Sequence, residues 1–246
     1  MELITRFLKE SRYCVALTGA GISTLSGIRD FRGKDGIYNS GLNEDYDPDL
    51  IFDLDYFRQD PSLYYKASRD FIYNLHTKQP SIVHLELARL ESMGIIKAVI
   101  TQNIDMLHSK AGSKNVIELH GSPMVHRCMS CDKVFSYDHI CDIVQSGEIQ
   151  KCDRCQGVIK PDIIFFGEML DAEKLNKAVQ EASKADLILV LGSSLVVQPA
   201  ASLPLYTREH GSLVIVNDMP TPLDEIAEAR YNDLERVFTV LREKIR

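Results

Sequence analysis

Blocks of apolar residues alternate along this chain with longer stretches of helical period. The run from Arg12 to Leu17 ends in Thr18-Gly19-Ala20-Gly21. Lys97 to Ile100 runs into Thr101-Gln102-Asn103, and Val116 to Leu119 into His120-Gly121. Asp186 to Leu191 runs into Gly192-Ser193-Ser194, and Leu213 to Val216 into Asn217-Asp218. Short apolar runs closed by small or polar residues predict buried strands. Between them, Val83, Leu87 and Leu90 share one face of a helix expected from about Ser81 to Met93, closed by Gly94. Leu175, Ala178, Val179 and Ala182 follow i, i+3, i+4, i+7 spacing behind Asp171 as N-cap, and a last helix is expected over about Asp233 to Lys244. Strands alternating with helices predict an α/β fold around an open parallel sheet. Ligands of such sheets bind beyond the carboxyl ends of the strands, so the five strand endings are expected to converge on one crevice.

Two segments interrupt the alternation. One, rich in Asp, Tyr and Phe with Pro48 and Pro61 as breakers, reads as loop plus short helices; the other, from Met124 to Gln156, holds four paired cysteines. The division expected is a sheet domain of residues 1–33, 79–123 and 157–246, a helical module with a cofactor loop at 34–78, and a zinc-binding module at 124–156, the two insertions packing together as a smaller lobe.

Composition narrows the function. Hydrophobic residues make up 45 % and charged residues 26 % of the 246, values of a globular chain rather than a disordered one. No apolar run approaches the roughly 20 residues of a membrane span. Met1 to Glu10 reads as a short amphipathic helix without the apolar core of a signal peptide, so an intracellular, cytoplasmic protein is expected. A formal charge of −7, from 28 basic and 35 acidic residues, argues against direct nucleic-acid binding. It is compatible with Lys/Arg-rich protein targets.

The strongest spacing signal is Cys128-Met-Ser-Cys131, twenty residues, then Cys152-Asp-Arg-Cys155. Two such pairs supply four thiolates at the corners of a tetrahedron, and four sulfur ligands leave no place for water, so a structural zinc is expected. His126 and His139 lie nearby as surplus and are expected at the surface; Cys141 is expected to pack in a helix. The turn Thr18-Gly19-Ala20-Gly21-Ile22-Ser23 follows the first strand. Glycines there let a backbone approach a pyrophosphate while amides of the next helix point at it. As a bare pattern it is weak, because Thr24 stands where a third glycine is usual. Asp30-Phe31-Arg32, Asn103 and Asp105 add an acid, an aromatic ring, a guanidinium and an amide at the strand ends. A histidine there, His120, is a candidate general base near neutral pH.

Taken together these segments resemble the sirtuin family of NAD-dependent protein deacylases. The matching stretches are Gly19-Ala-Gly-Ile-Ser23, Ser26-Gly-Ile-Arg-Asp-Phe-Arg32, Thr101-Gln-Asn-Ile-Asp105, Leu119-His-Gly121, both cysteine pairs, Lys160-Pro-Asp-Ile-Ile-Phe-Phe-Gly-Glu168, Gly192-Ser-Ser-Leu-Val-Val-Gln-Pro199 and Ile215-Val-Asn217, in family order over nearly the whole chain. Two departures are Arg29, where the family usually has proline, and Lys160, where it usually has arginine. The resemblance implies a Rossmann-like sheet domain with a smaller zinc-bearing lobe, NAD and an acyl-lysine meeting in the cleft between them. It places Gly19, Ala20, Gly21, Thr24, Arg32, Gln102, Gly192, Ser193, Ser194, Asn217 and Asp218 on the adenosine, ribose and diphosphate of NAD. Asp30, Phe31, Asn103, Ile104 and Asp105 surround the nicotinamide and its ribose, Asn103 and Asp105 counting with His120 as catalytic. His120 is the base. Ile164, Phe166 and Val197, with Phe31 and His120, line an acyl-lysine tunnel, and Gly167-Glu168 with Leu195-Val196 offer two strand edges to the peptide.

The activity implied is transfer of the acetyl group of acetyl-lysine to ADP-ribose, with release of nicotinamide. Ser68 and Phe71 fall where family members that take succinyl or malonyl groups carry a Tyr-x-x-Arg pair, so a neutral acyl group is expected and longer chains stay open. Also open are a mono-ADP-ribosyltransferase on the same scaffold, a non-catalytic zinc-ribbon adaptor and an ordinary dehydrogenase. A compact, bacterial-type, monomeric enzyme is the expectation.

Overall fold

The computed structural model describes residues 1–30, 36, 48–149, 151–207 and 211–246. Within them the chain forms, in order, α1 (Glu2–Glu10), β1 (Cys14–Thr18), α2 (Gly21–Thr24), α3 (Pro48–Ile51), α4 (Leu54–Gln59), α5 (Ser62–Ser68), α6 (Ile82–Ser92), β2 (Ile96–Thr101), α7 (Leu107–Ala111), β3 (Val116–Glu118), β4 (Gly121–Cys128), β5 (Val134–Ser136), α8 (Tyr137–Gln145), β6 (Ile159–Ile163), α9 (Ala172–Lys184), β7 (Leu187–Leu191), β8 (Ser212–Val216), β9 (Ala229–Tyr231) and α10 (Leu234–Lys244). No helix among the described residues is long and apolar enough to cross a membrane.

The first sheet is parallel throughout, with strand order β3-β2-β1-β7-β8-β9. Every residue of β1 and β7 is buried, because helices cover both faces. Cys14 and Ala16 point to the side of α1, α6 and α10, where Ile4, Leu8, Val83, Leu87, Val237 and Phe238 meet them. Val15 and Leu17 point to the other side, against Ala178 and Ala182 of α9. The helix ends follow the sequence signals. Asp171 accepts from the amides of Glu173 and Lys174, Asp233 from that of Arg236, and Ser81 and His84 cap α6 reciprocally. The short β9, centred on exposed Arg230, carries no apolar run and was not foreseen.

The second sheet is antiparallel, with order β5-β4-β6. One core joins it to α3–α5 and α8: Phe57, Tyr64, Tyr65, Tyr73, Tyr137 and Phe165 are buried together with Cys128 and Cys152. Residues of both insertions share this core of the smaller lobe. Its boundary differs from the expected one, because residues 159–163 pair with β4 here instead of joining the parallel sheet.

His126 is also a correction. It is fully buried, with Nε2 2.9 Å from the Tyr73 hydroxyl, because the alternation of β4 puts it on the inward face with Cys128. Burial, and then the nearby Lys160 charge, hold its pKa down at about 3. His139 is exposed and stacks on Phe135, and Cys141 is buried with its thiol donating to the Tyr73 carbonyl.

Candidate active site and metal centre

The five expected strand endings do converge. They open onto one cavity of about 1290 Å³ between the parallel sheet and the smaller lobe. From β1 come Gly19, Ala20, Gly21 and Thr24, and from the loop after α2 comes Asp30; β2 supplies Gln102, Asn103 and Ile104. His120 follows β3, Gly192, Ser193 and Ser194 follow β7, and Asn217 and Asp218 follow β8. The opposite wall brings Ile164, Phe166, Gly167 and Glu168, with Val197 across from them. Phe31 and Arg32 lie outside the described residues.

Three expected residues do not reach the cavity. The Asp105 carboxylate is buried behind Ser23, accepting from its hydroxyl at 2.5 Å and from the Leu107 amide at 2.9 Å. Leu195 is buried in the apolar core and Val196 points to solvent. Residues without a sequence signal of function also line the wall: Leu25, Phe52, Met169, Asn232 and the helix cap Asp233. Their elements were partly legible, but a cap or a lone aromatic carries no motif.

The glycine turn lines the cavity and also serves packing. The amides of Gly19, Gly21, Ile22 and Ser23 already donate to Leu191, Gly192, Gly19 and Ala20 carbonyls. A Cβ on Gly19 would stand 2.7 Å from the Gly192 oxygen, and one on Gly21 2.8 Å from the Gly192 Cα. These glycines let the β1 and β7 turns pack back to back. At the other end of the site Gly121 has φ +77°, and a Cβ there would fall 1.9 Å from the Asp162 oxygen. Only glycine lets β4 start directly after His120.

Side chains over the strand ends are held by one another. Asn103 Nδ2 donates to Gly19 O and to Ser23 Oγ, both at 3.1 Å, and Ser23 passes its proton toward Asp105. Gln102 Nε2 donates to Ser193 Oγ at 2.8 Å. The Gln102 carbonyl lies 2.9 Å from His120 Nδ1. A carbonyl only accepts, so the proton sits on Nδ1 and Nε2 keeps its lone pair. Burial lowers the His120 pKa below the ordinary 6.5, the bond to Gln102 opposing it, so the ring is neutral at pH 7.

In the smaller lobe the sulfur atoms of Cys128, Cys131, Cys152 and Cys155 all lie within 4.8 Å of one another. Cys128 and Cys155 are 3.4 Å apart, Cys131 and Cys152 3.7 Å. A tetrahedron of Zn–S bonds near 2.3 Å has edges of about 3.8 Å, so the four thiols fit one closed zinc site.

The fold and the cavity together define a dinucleotide-type α/β protein with a cysteine-ligated lobe across its ligand cleft. The Sir2 family model matches residues 19–199, and the chain belongs to that family. It is similar to an NAD-dependent protein deacetylase of Thermotoga maritima, 48 % identical over 94 % of this chain and 92 % of the relative. Among solved structures, it resembles a Sir2 variant with a deacetylated p53 peptide and 3′-O-acetyl-ADP-ribose (TM-score 0.93, 44 % identity, 100 % of this chain and 98 % of that one). It also resembles a Sir2–p53 peptide–NAD+ complex (TM-score 0.89, 43 % identity, 99 % and 98 %).

Proposed function

We propose that this protein is an NAD-dependent protein-lysine deacetylase, transferring the acetyl group of acetyl-lysine to ADP-ribose with release of nicotinamide and O-acetyl-ADP-ribose. The observation that carries the reading is His120: a neutral imidazole, its Nδ1 tied to a backbone carbonyl, on the wall of a cavity it shares with Asn103. At about 1290 Å³ the cavity exceeds the ~300–1,000 Å³ of ordinary small-ligand pockets, which leaves room for a dinucleotide and an entering side chain. Relatives and structural neighbours that carry the activity or both ligands in their names support it.

NAD, when bound, supplies a cationic nicotinamide leaving group and so an electrophilic ribose carbon. The chain supplies the rest. Gly19, Ala20, Gly21, Thr24, Gly192, Ser193, Ser194, Asn217 and Asp218 hold the adenosine and diphosphate side, and Asp30, Asn103 and Ile104 the nicotinamide ribose. Asp105 acts from behind, fixing Ser23 and through it Asn103. Ile164, Phe166 and Val197 position the acyl-lysine, so that a bimolecular encounter becomes fixed proximity. His120 Nε2 takes a proton from a ribose hydroxyl. Gly167 and Glu168 run along the cleft as one edge for the peptide backbone.

A neutral acyl group suits the site. Ser68 is buried in the lobe core and Phe71 packs edge-on against Phe52, so neither brings a cation to the cleft. A cytoplasmic setting belongs to the same proposal, supported by thiols kept reduced for a metal. The test is nicotinamide release from NAD with and without an acetyl-lysine peptide. Release that requires the peptide supports the function, and release indifferent to it contradicts it.

A further inference from the structure

Lys160 is the one lysine or arginine that is buried among the described residues. Its Nζ lies 2.6 Å from the Ile163 oxygen, 3.2 Å from the Pro161 oxygen and 2.8 Å from Glu168 Oε2, which uses all three ammonium donors. It also stands 4.2 Å from the centre of the Phe165 ring. The same Glu168 oxygen accepts the Phe165 amide at 2.7 Å, while the Glu168 amide donates to the Phe165 carbonyl at 3.0 Å. The carboxylate thus closes the turn 165–168 around Gly167, whose φ is +91°. On the far side Phe166 is fastened by its amide to Phe52 O, 2.7 Å, and by its carbonyl to the Leu54 amide, 3.1 Å.

Fold stability alone does not account for this cation. Burying an ion pair costs desolvation, and replacing both partners by apolar residues of similar volume is commonly neutral or stabilising. What the pair secures is the turn that carries Gly167 and Glu168. We propose that Lys160 is a positioning residue for the peptide substrate: its ion pair with Glu168 holds the Gly167–Glu168 backbone as a preformed edge for strand addition. The proposal rests on the deacetylase reading above. A backbone edge that is already ordered spares the peptide the entropy of ordering it, so the gain appears in peptide affinity and not in the chemical step.

The experiment is steady-state kinetics of Lys160→Met, Lys160→Arg and Glu168→Gln with an acetyl-lysine peptide, each substrate varied at saturation of the other, alongside thermal melting. Lys160→Met should raise the peptide KM about tenfold and leave the NAD KM and kcat within about twofold, with a lower melting temperature because Glu168 loses its counter-charge. Lys160→Arg, which keeps the charge, should restore the peptide KM. An unchanged peptide KM in folded Lys160→Met overturns the proposal, and so does an equal rise for both substrates. If Lys160→Met does not fold, Glu168→Gln decides. It keeps an acceptor for the Phe165 amide but loses the charge, and an unchanged peptide KM there is equally fatal. A wild-type protein that does not deacetylate overturns the function itself, whereas an active wild type with indifferent variants overturns only the role of Lys160.

Discussion

In the parallel sheet the buried residues are mostly aliphatic: Val15, Leu17, Val99, Ile100, Leu189, Val190 and Ile215 carry no polar atom beyond the backbone. The core of the smaller lobe is aromatic instead, and its rings carry hydroxyls that bind backbone. Tyr65 donates to Ile159 O and Tyr137 to Ile72 O, each within 2.8 Å, and Tyr73 meets His126. Five parallel ladders across six strands fix the first region, so its polar groups are free to gather at the strand ends. The second, with a three-stranded sheet and helices of four to nine residues, draws its order from side-chain bonds, four thiols and a buried ion pair. Chemistry therefore sits on the first region and shape on the second.

His120→Ala strikes the first region alone. Loss of a general base costs about 10²–10⁴-fold in turnover, while NAD affinity and melting temperature should stay near wild type. Turnover within a few-fold of wild type would remove the imidazole from the mechanism. Cys128→Ser strikes the second. Zinc content by elemental analysis should fall to zero, and stability by about 4 kcal/mol or more, as for other lost metal sites. Activity should follow the unfolding. A zinc-free protein with full activity and an unchanged melting curve would show that the metal does not staple the lobe.

Ser23→Ala is subtler. It leaves the buried Asp105 without its hydroxyl donor and Asn103 without one acceptor, at a cost of about 1–3 kcal/mol. The NAD KM should rise about tenfold by the same scale while the peptide KM stays, because the proposed function has Asp105 act on the nicotinamide side through Ser23 and Asn103. Equal changes in both constants would place the chain of bonds elsewhere.

A further effect is graded by pH and spans both regions. His84, His108 and His126 are buried, with pKa values lowered by burial to about 4, 3 and 3, and each has one ring nitrogen without a partner among the described residues. Unfolded histidine titrates near 6.5, so below that pH the unfolded chain binds more protons than the folded one. Stability should be full above about pH 6.5 and fall toward pH 4, by about 1.4 kcal/mol per pH unit for each histidine. Urea midpoints at pH 7.5 and 5.0 measure it, and equal midpoints would mean that these rings are not held neutral.

The sheet and its crevice were legible because apolar runs ending in small polar residues report both burial and strand direction. The zinc lobe was legible because four thiols at that spacing have few other uses. What escaped depends on who faces whom. Nothing local in Ala229-Arg230-Tyr231 marks an edge strand, which exists because β8 offers it a ladder. His126 was placed outside for lack of a partner, yet the alternation from Cys128 already turned it inward toward Tyr73. Asp105 looked like a cavity residue by its neighbours Asn103 and Ile104, and the short turn before α7 instead rotates it behind Ser23. The glycines of the first turn line the cavity, and the pattern did not show that they also pack against Gly192.

The claim that the strand-end chemistry moves an acyl group is tested most directly by product mass spectrometry on the wild-type protein with NAD and an acetyl-lysine peptide. The account predicts a peptide that loses its acetyl group and O-acetyl-ADP-ribose appearing one-for-one with nicotinamide. A peptide that keeps its acetyl group and gains ADP-ribose would contradict it.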